Sequence, residues 1–241
     1  MPLEALAFPD RHDLARRIND RFDPMDAQGV VEAALTENGH VALVSSFGTE
    51  SIVLLDMVSR VDQTAPVLFL ETGMLFPETL DYQKDVALIL GLTNVQIVRP
   101  APEDLAAKDP FNRLHIGNTD ACCDIRKVLP LERALTPFDG WITGRKRAHG
   151  GQRAQLDLAE VEGDRLKFNP LAHWSGQELR DYMKAHGLPN HPLTAKGFQS
   201  VGCAPCTSAT KPGEDPRAGR WRGSDKEECG IHFIDGKAVR G

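Results

Sequence analysis

Val41-Ala42-Leu43-Val44 leads into Ser45-Ser46-Phe47-Gly48-Thr49-Glu50-Ser51, and Ile52, Leu55 and Val58 follow with their apolar neighbours. The first run is apolar, carries β-branched residues and comes after Gly39, the pattern of a buried strand. The apolar residues beyond Ser51 recur at helical spacing. Between them lie small and polar residues, the composition of a tight loop. The same order returns in Val67-Leu68-Phe69-Leu70, the loop Glu71-Thr72-Gly73, and a helix from about Pro77. Proline suits the first helical turn, where its missing N–H costs nothing. Asn94 to Val98 reads as a third strand and Trp141-Ile142-Thr143 as a fourth, after a helix around Val128 to Leu135. Strands alternating with helices predict an α/β fold: a doubly wound, mostly parallel sheet with right-handed crossovers. Its site is expected at the C-terminal ends of the strands. Further on, Ser175-Gly176-Gln177-Glu178 is a capping box that starts a helix ending near Gly187.

The chain has 241 residues, enough for one substantial core. Its 41% hydrophobic and 26% charged content is that of an ordinary globular protein. No apolar run approaches a bilayer span, and Met1 to Asp10 is too acidic and too short in apolar residues for a signal peptide. The expected compartment is the cytoplasm, where thiols stay reduced. A net charge of −6 argues against a general nucleic-acid or membrane-surface binder. The charge is nonetheless uneven. Arg126, Lys127, Arg133, Arg145, Lys146, Arg147 and Arg153 face only Glu132 and Asp139 in the same stretch. Charge alone allows either a solvated basic face or a pocket for a small polyanion.

Five cysteines fall as an adjacent pair, Cys122-Cys123, a Cys203-Ala204-Pro205-Cys206 hairpin, and the isolated Cys229. An odd count cannot be fully paired within one chain. Four thiolates suit either Zn²⁺ or an iron–sulfur cluster. Adjacent cysteines project in different directions, which favours two irons of a cube over one zinc ion. The fifth, Cys229, is left as the candidate nucleophile. The loop from Ser45 to Ser51 enters a helix, where free N–H groups and the helix dipole make an anion site. It is neither a Walker A loop nor a dinucleotide fingerprint.

Taken together, these pieces resemble the iron–sulfur branch of the assimilatory sulfonucleotide reductases, the adenosine 5′-phosphosulfate (APS) reductases. The likeness runs from about Val41 to His232. It is carried by Ser46-Phe47-Gly48, Glu71-Thr72-Gly73, Phe76-Pro77-Glu78-Thr79, and Cys122-Cys123 with Arg126-Lys127. Further on it rests on Gly144-Arg145-Lys146-Arg147, Asn169-Pro170-Leu171, Gly202 to Thr207, Gly219-Arg220-Trp221 and Glu228-Cys229-Gly230-Ile231-His232. The Ser45–Ser51 loop is similar to the degenerate pyrophosphatase loop of the adenine nucleotide α-hydrolase-like superfamily. Phe47 and Thr49-Glu50 depart from the pattern of members that cleave ATP. Glu71 stands where relatives usually have Asp, and His149-Gly150 replaces a more usual Gln-Ser.

The resemblance implies a reaction: thiol-dependent reduction of APS to sulfite and AMP through an S-sulfocysteine on Cys229, serving sulfate assimilation and cysteine biosynthesis. It implies a [4Fe–4S] cluster on Cys122, Cys123, Cys203 and Cys206, and catalytic roles for Lys127, Arg153, Arg217 and Arg220. Substrate contacts are expected from Ser45, Ser46, Gly48, Leu70, Thr72, Gly73 and Gly144. With the sequence ending soon after Cys229, a fused thioredoxin-like domain is not expected, and a separate reduced thioredoxin or glutaredoxin is the expected electron donor. Residues 1–206 are expected to form the nucleotide- and cluster-binding domain, and 207–241 a mobile arm, with little core beyond Thr207. His232 is read as structural, and homo-oligomerisation is left open. The rival reading nearest in chemistry is the same reaction on 3′-phospho-APS (PAPS). More distant ones are an ATP-using adenylyltransferase or tRNA-modifying enzyme on the same fold, and a non-catalytic iron–sulfur or zinc sensor.

Overall fold

A computed structural model describes residues 10–149, 155–223, 226, 233–234 and 237–238. Two helices open it, α1 (Arg11–Arg21) and α2 (Ala27–Glu37), each with an aspartate side chain accepting an N–H of its first turn. Strand β1 (Val41–Ser45) then feeds α3 (Ser51–Val61), and β2 (Val67–Leu70) feeds α4 (Pro77–Leu90). Helix α4 has proline in its first turn and ends on Gly91, whose φ of 67° takes the left-handed cap without a Cβ penalty.

Beyond β3 (Val95–Val98) come the short helices α5 (Pro102–Lys108), α6 (Leu114–Gly117) and α7 (Thr119–Cys123). A π-helical turn (Asp124–Val128) joins α7 to α8 (Leu129–Leu135), and β4 (Gly140–Ile142) follows. The hairpin β5 (Ala159–Glu162) and β6 (Arg165–Phe168) precedes α9 (Gly176–Ala185), which begins on the expected Ser175–Glu178 capping box. The pairs Phe233–Ile234 and Lys237–Ala238 form a small separate ladder.

One six-stranded sheet runs in the order β3-β2-β1-β4-β6-β5, parallel except for β5 against β6. The fold class expected from the alternating pattern is the one observed. Successive residues face opposite sides. Leu43, Phe69, Ile142 and Phe168 enter the larger core with α3, whereas Ala42, Leu68, Leu70 and Trp141 meet Leu131 and Leu135 of α8. From β1 the chain winds outward to β2 and β3 on one side and to β4 on the other. The crevice at that switch point, beyond the ends of β1 and β4, is where such sheets bind ligands.

Residues 207–223 fold back on the domain. Thr207 bridges to Arg220, the Ser208 N–H donates to the Gly219 carbonyl at 2.8 Å, and the Trp221 N–H donates to the Cys206 carbonyl at 2.9 Å. Trp221 is 6% exposed. The expectation of little core beyond Thr207 therefore does not hold for this residue. Its ring gives apolar area and takes cations on its faces.

Candidate active site

A cavity of about 280 Å³ opens at the switch point. Ser45, Ser46 and Gly48 line it from the β1–α3 loop, Leu70 and Thr72 from the end of β2, and Gly144 from the end of β4. Lys127, Arg217 and Arg220 close it from the π-turn and the 207–223 segment. Residues more than a hundred positions apart in sequence thus share one wall. Gly73 is not among the lining residues; it turns at φ 71°, donates its N–H to Glu71 Oε1 at 2.6 Å and faces the Arg126 guanidinium. Arg153 and Cys229 lie outside the described residues.

The loop differs from the anion cradle expected of it. Phe47 carries the left-handed φ, 48°, that glycine usually takes in such turns. The ring holds that conformation in place, fully buried and edge-on to Phe69 at 5.1 Å. Two N–H groups that could have cradled a phosphate are occupied by side chains: that of Phe47 by Ser45 Oγ at 3.1 Å, that of Gly48 by Ser51 Oγ at 3.0 Å.

The cations divide into two groups. On the β4–β6 side each has a carboxylate of this chain: Lys146 with Glu50, Lys167 with Glu162, and Arg145 with Glu160 at 3.7 Å. Lys167 sits opposite Trp141 in the ladder, 5.6 Å from its ring centroid, and burial lowers its pKa against the pull of Glu162. Trp141 and Lys167 are wall residues that the sequence reading did not single out. On the other side are Lys127, 9% exposed, and the two arginines. Arg220 lies over the backbone of Gly202 and donates through Nη1 to the Val201 carbonyl at 3.3 Å. Its guanidinium is 4.5 Å from the Trp221 centroid and that of Arg217 is 5.8 Å away.

Behind this wall the cysteine segments meet. Cys122, Cys123 and Cys203 are buried and Cys206 is half-buried. Cys203 Sγ is 3.3 Å from Thr72 Oγ1, and its hairpin is held by the Ala204 N–H donating to the Met74 carbonyl at 2.7 Å. Burial pushes the Cys122 thiol up to about 11. Arg126 counteracts this, and the nearby Cys203 and Cys206 add to it. Arg126 is the buried strut of the region. Its Nη1 donates to the Thr72 carbonyl at 2.9 Å, and its Nη2 to Asp109 Oδ2 at 2.7 Å and Asn112 Oδ1 at 2.8 Å. Burial pushes Asp109 up, but the hydrogen bonds from Arg126 and from the Leu114 and Arg113 N–H groups outweigh it and hold the carboxyl low.

The donor set fits a thiolate-bound cluster. Four sulfurs come from two segments, and the buried Arg126 Nε has no hydrogen-bond partner among the described residues. Among those residues no group of three or more His, Cys, Asp or Glu side chains converges on a single metal ion.

The sheet and crevice define an α/β protein with a ligand site at its topological switch point. A solved structure of this architecture, the phosphoadenylyl-sulfate reductase of Candida auris in complex with phosphate, matches with a TM-score of 0.68 and 25% identity. The match covers 84% of this chain and 99% of that one. The model of the phosphoadenosine phosphosulfate reductase domain matches residues 40–209, and the chain belongs to that family. It is 50% identical over 206 residues to the adenosine 5′-phosphosulfate reductase of Mesorhizobium japonicum, covering 85% of this chain and 81% of the relative. It is also 41% identical over 208 residues to the phosphoadenosine 5′-phosphosulfate reductase of Gloeobacter violaceus, covering 84% and 86% respectively.

Proposed function

We propose that this chain reduces APS to sulfite and AMP, with Cys229 as the nucleophile. The observation that carries the reading is the meeting of Lys127, Arg217 and Arg220 in one cavity with Ser45, Ser46 and Gly48. The difficulty of the reaction is bringing an anionic thiolate to an anionic sulfo group, and cationic donors relieve it. Guanidinium groups suit the task through their paired N–H donors.

The Cys229 sulfur attacks the sulfate sulfur. The bond from that sulfur to the bridging oxygen breaks, and AMP leaves with the oxygen and the electron pair. A thiolate of reduced thioredoxin or glutaredoxin then attacks the Cys229 sulfur, and sulfite departs with the S–S bonding pair. The second thiol of the donor resolves the mixed disulfide, so the dithiol loses two electrons and the sulfo sulfur gains them. Part of the same proposal is a C-terminal arm that carries Cys229 to the cavity, in a protein working in the cytoplasm.

Cys122, Cys123, Cys203 and Cys206 would hold a [4Fe–4S] cluster. When bound, it supplies a coordinatively complete centre that staples two distant segments and shapes the field around Lys127. Lys127 needs no electron from it to screen the sulfate.

A second reading, PAPS as substrate, is favoured by the name of the Gloeobacter violaceus relative. Anaerobic turnover with dithiol and thioredoxin, measured as sulfite from APS and from PAPS in parallel, tests both. The proposal expects APS to be the better substrate. Sulfite from PAPS alone would favour the second reading, and sulfite from neither would overturn both.

A further inference from the structure

The cavity arginines share their aromatic platform with a third cation. Lys226 Nζ is 6.0 Å from the Trp221 ring centroid and pairs with the carboxylate of Asp120. Its side chain is only 10% exposed, although lysine is strongly hydrated and usually solvated. Asp120 belongs to α7, two residues before Cys122, and lies 106 positions from Lys226. Lys226, three positions past the 207–223 segment, is thus held between the cysteine helix and the ring on which Arg217 and Arg220 rest.

From this we infer that Asp120 is a positioning residue for the nucleophile, acting through Lys226. The inference rests on the reductase reading above. Two residues separate Lys226 from Cys229, so the chain takes three steps between them, and an extended chain advances about 3.3–3.6 Å per step. Pinning Lys226 therefore keeps the Cys229 backbone within about 10–11 Å of the anchored lysine, whatever path the chain takes. Without the pair the nearest buried anchor among the described residues is Trp221, eight positions before Cys229, so fixing Lys226 shortens the tether and raises the effective concentration of the thiol. Asp120 is itself 61% exposed, so it is accessible to the lysine without being needed for the core. Asp120 is not among the residues that line the cavity.

The test is a double-mutant cycle on single-turnover AMP release from APS without external thiol, using Asp120→Asn, Lys226→Gln and the pair together. AMP affinity and iron and sulfide content are measured on each. Each single change is expected to slow AMP release by about five- to tenfold, the effect of one partly buried ion pair on a transition-state geometry. The double variant should be no slower than Lys226→Gln alone, with AMP affinity and iron content unchanged in all three. The tether is overturned if Asp120→Asn releases AMP at the unaltered rate, or if the two effects multiply. It is also overturned if Asp120→Asn loses iron, which would make Asp120 a support of the cysteines instead. If the unaltered protein releases no AMP from APS, the reductase reading falls first, and the tether with it.

Discussion

Arg220 shows how the finest contacts of the site depend on what is missing. A methyl group on Gly202 would overlap the Arg220 guanidinium, which is the far end of a flexible side chain and can swing away. Gly202→Ala should therefore fold normally and yet lose turnover, following Arg220→Ala in kind if not in full. Arg220→Ala and Arg217→Ala should weaken APS turnover more than AMP binding. Each lost charge-assisted bond should cost on the order of 1.5–3 kcal/mol. Steady-state kinetics beside AMP titration separates the two, and equal losses would move these arginines to the nucleotide phosphate. His191 supplies a different residue-scale effect. It is buried, accepts or donates at Thr79 Oγ1 over 3.0 Å, and burial lowers its pKa from 6.5 to about 4. Between those values the unfolded chain binds a proton that the native state refuses. Stability should therefore fall as the pH drops from about 6.5 to about 4, by at most about 3 kcal/mol, and level off below for this group. Denaturant titrations across that range should show the slope reduced in His191→Gln.

At the scale of elements, the helix through Cys122-Cys123 does the joining. Helix α7 begins with Asn118 Oδ1 accepting the Ala121 N–H at 2.9 Å, and the π-turn after it carries Arg126 inward to Asp109 and Lys127 to the cavity. Single π-turns inside helices are frequent at functional sites. The pairing of this helix with the Cys203 hairpin predicts that Cys123→Ser or Cys206→Ser loses iron, sulfide and most activity together. Iron and acid-labile sulfide at about four each per chain in the unaltered protein would agree. Stoichiometric zinc without sulfide would not. Helix α9 offers a stability test away from the site. Ser175 Oγ accepts the Glu178 N–H at 3.3 Å and Glu178 Oε2 accepts the Ser175 N–H at 2.6 Å. Ser175→Ala should cost about 1 kcal/mol and lower Tm by roughly 2–4 °C with activity retained. The capping box was legible because all of its residues lie within one turn. The β5–β6 hairpin left a local signal too, since Ala159-Glu160-Val161-Glu162 and Arg165-Leu166-Lys167-Phe168 alternate apolar and charged residues about Gly163-Asp164, and the sequence reading passed over it. What no local pattern shows is how Glu160, Glu162 and Lys167 are satisfied: they meet one another, Arg145, the Asn169 amide and the Trp141 ring.

For the molecule as a whole, the parallel sheet could be read from Val41–Ser51 and Val67–Pro77, since strand, loop and helix each leave a local period. The cysteine segments and most of the cavity wall were legible as motifs. What stayed hidden were contacts between segments far apart in the chain: Arg126 to Asp109, Lys167 to Trp141, and Lys226 to Asp120. No local pattern encodes a partner that lies across the fold. Phe47 escaped for a related reason, because its left-handed backbone is held by Phe69 on the neighbouring strand. In the proposed account, four cysteines hold the scaffold and one does the chemistry. Its most direct test is mass analysis after APS is added to the protein without any external thiol. AMP should be released once per site. The protein should gain one sulfo group, on the peptide containing Cys229, that reduced thioredoxin removes, while Cys229→Ser should keep its iron and release no sulfite. Turnover by Cys229→Ser, or the added mass on another cysteine, would contradict the account.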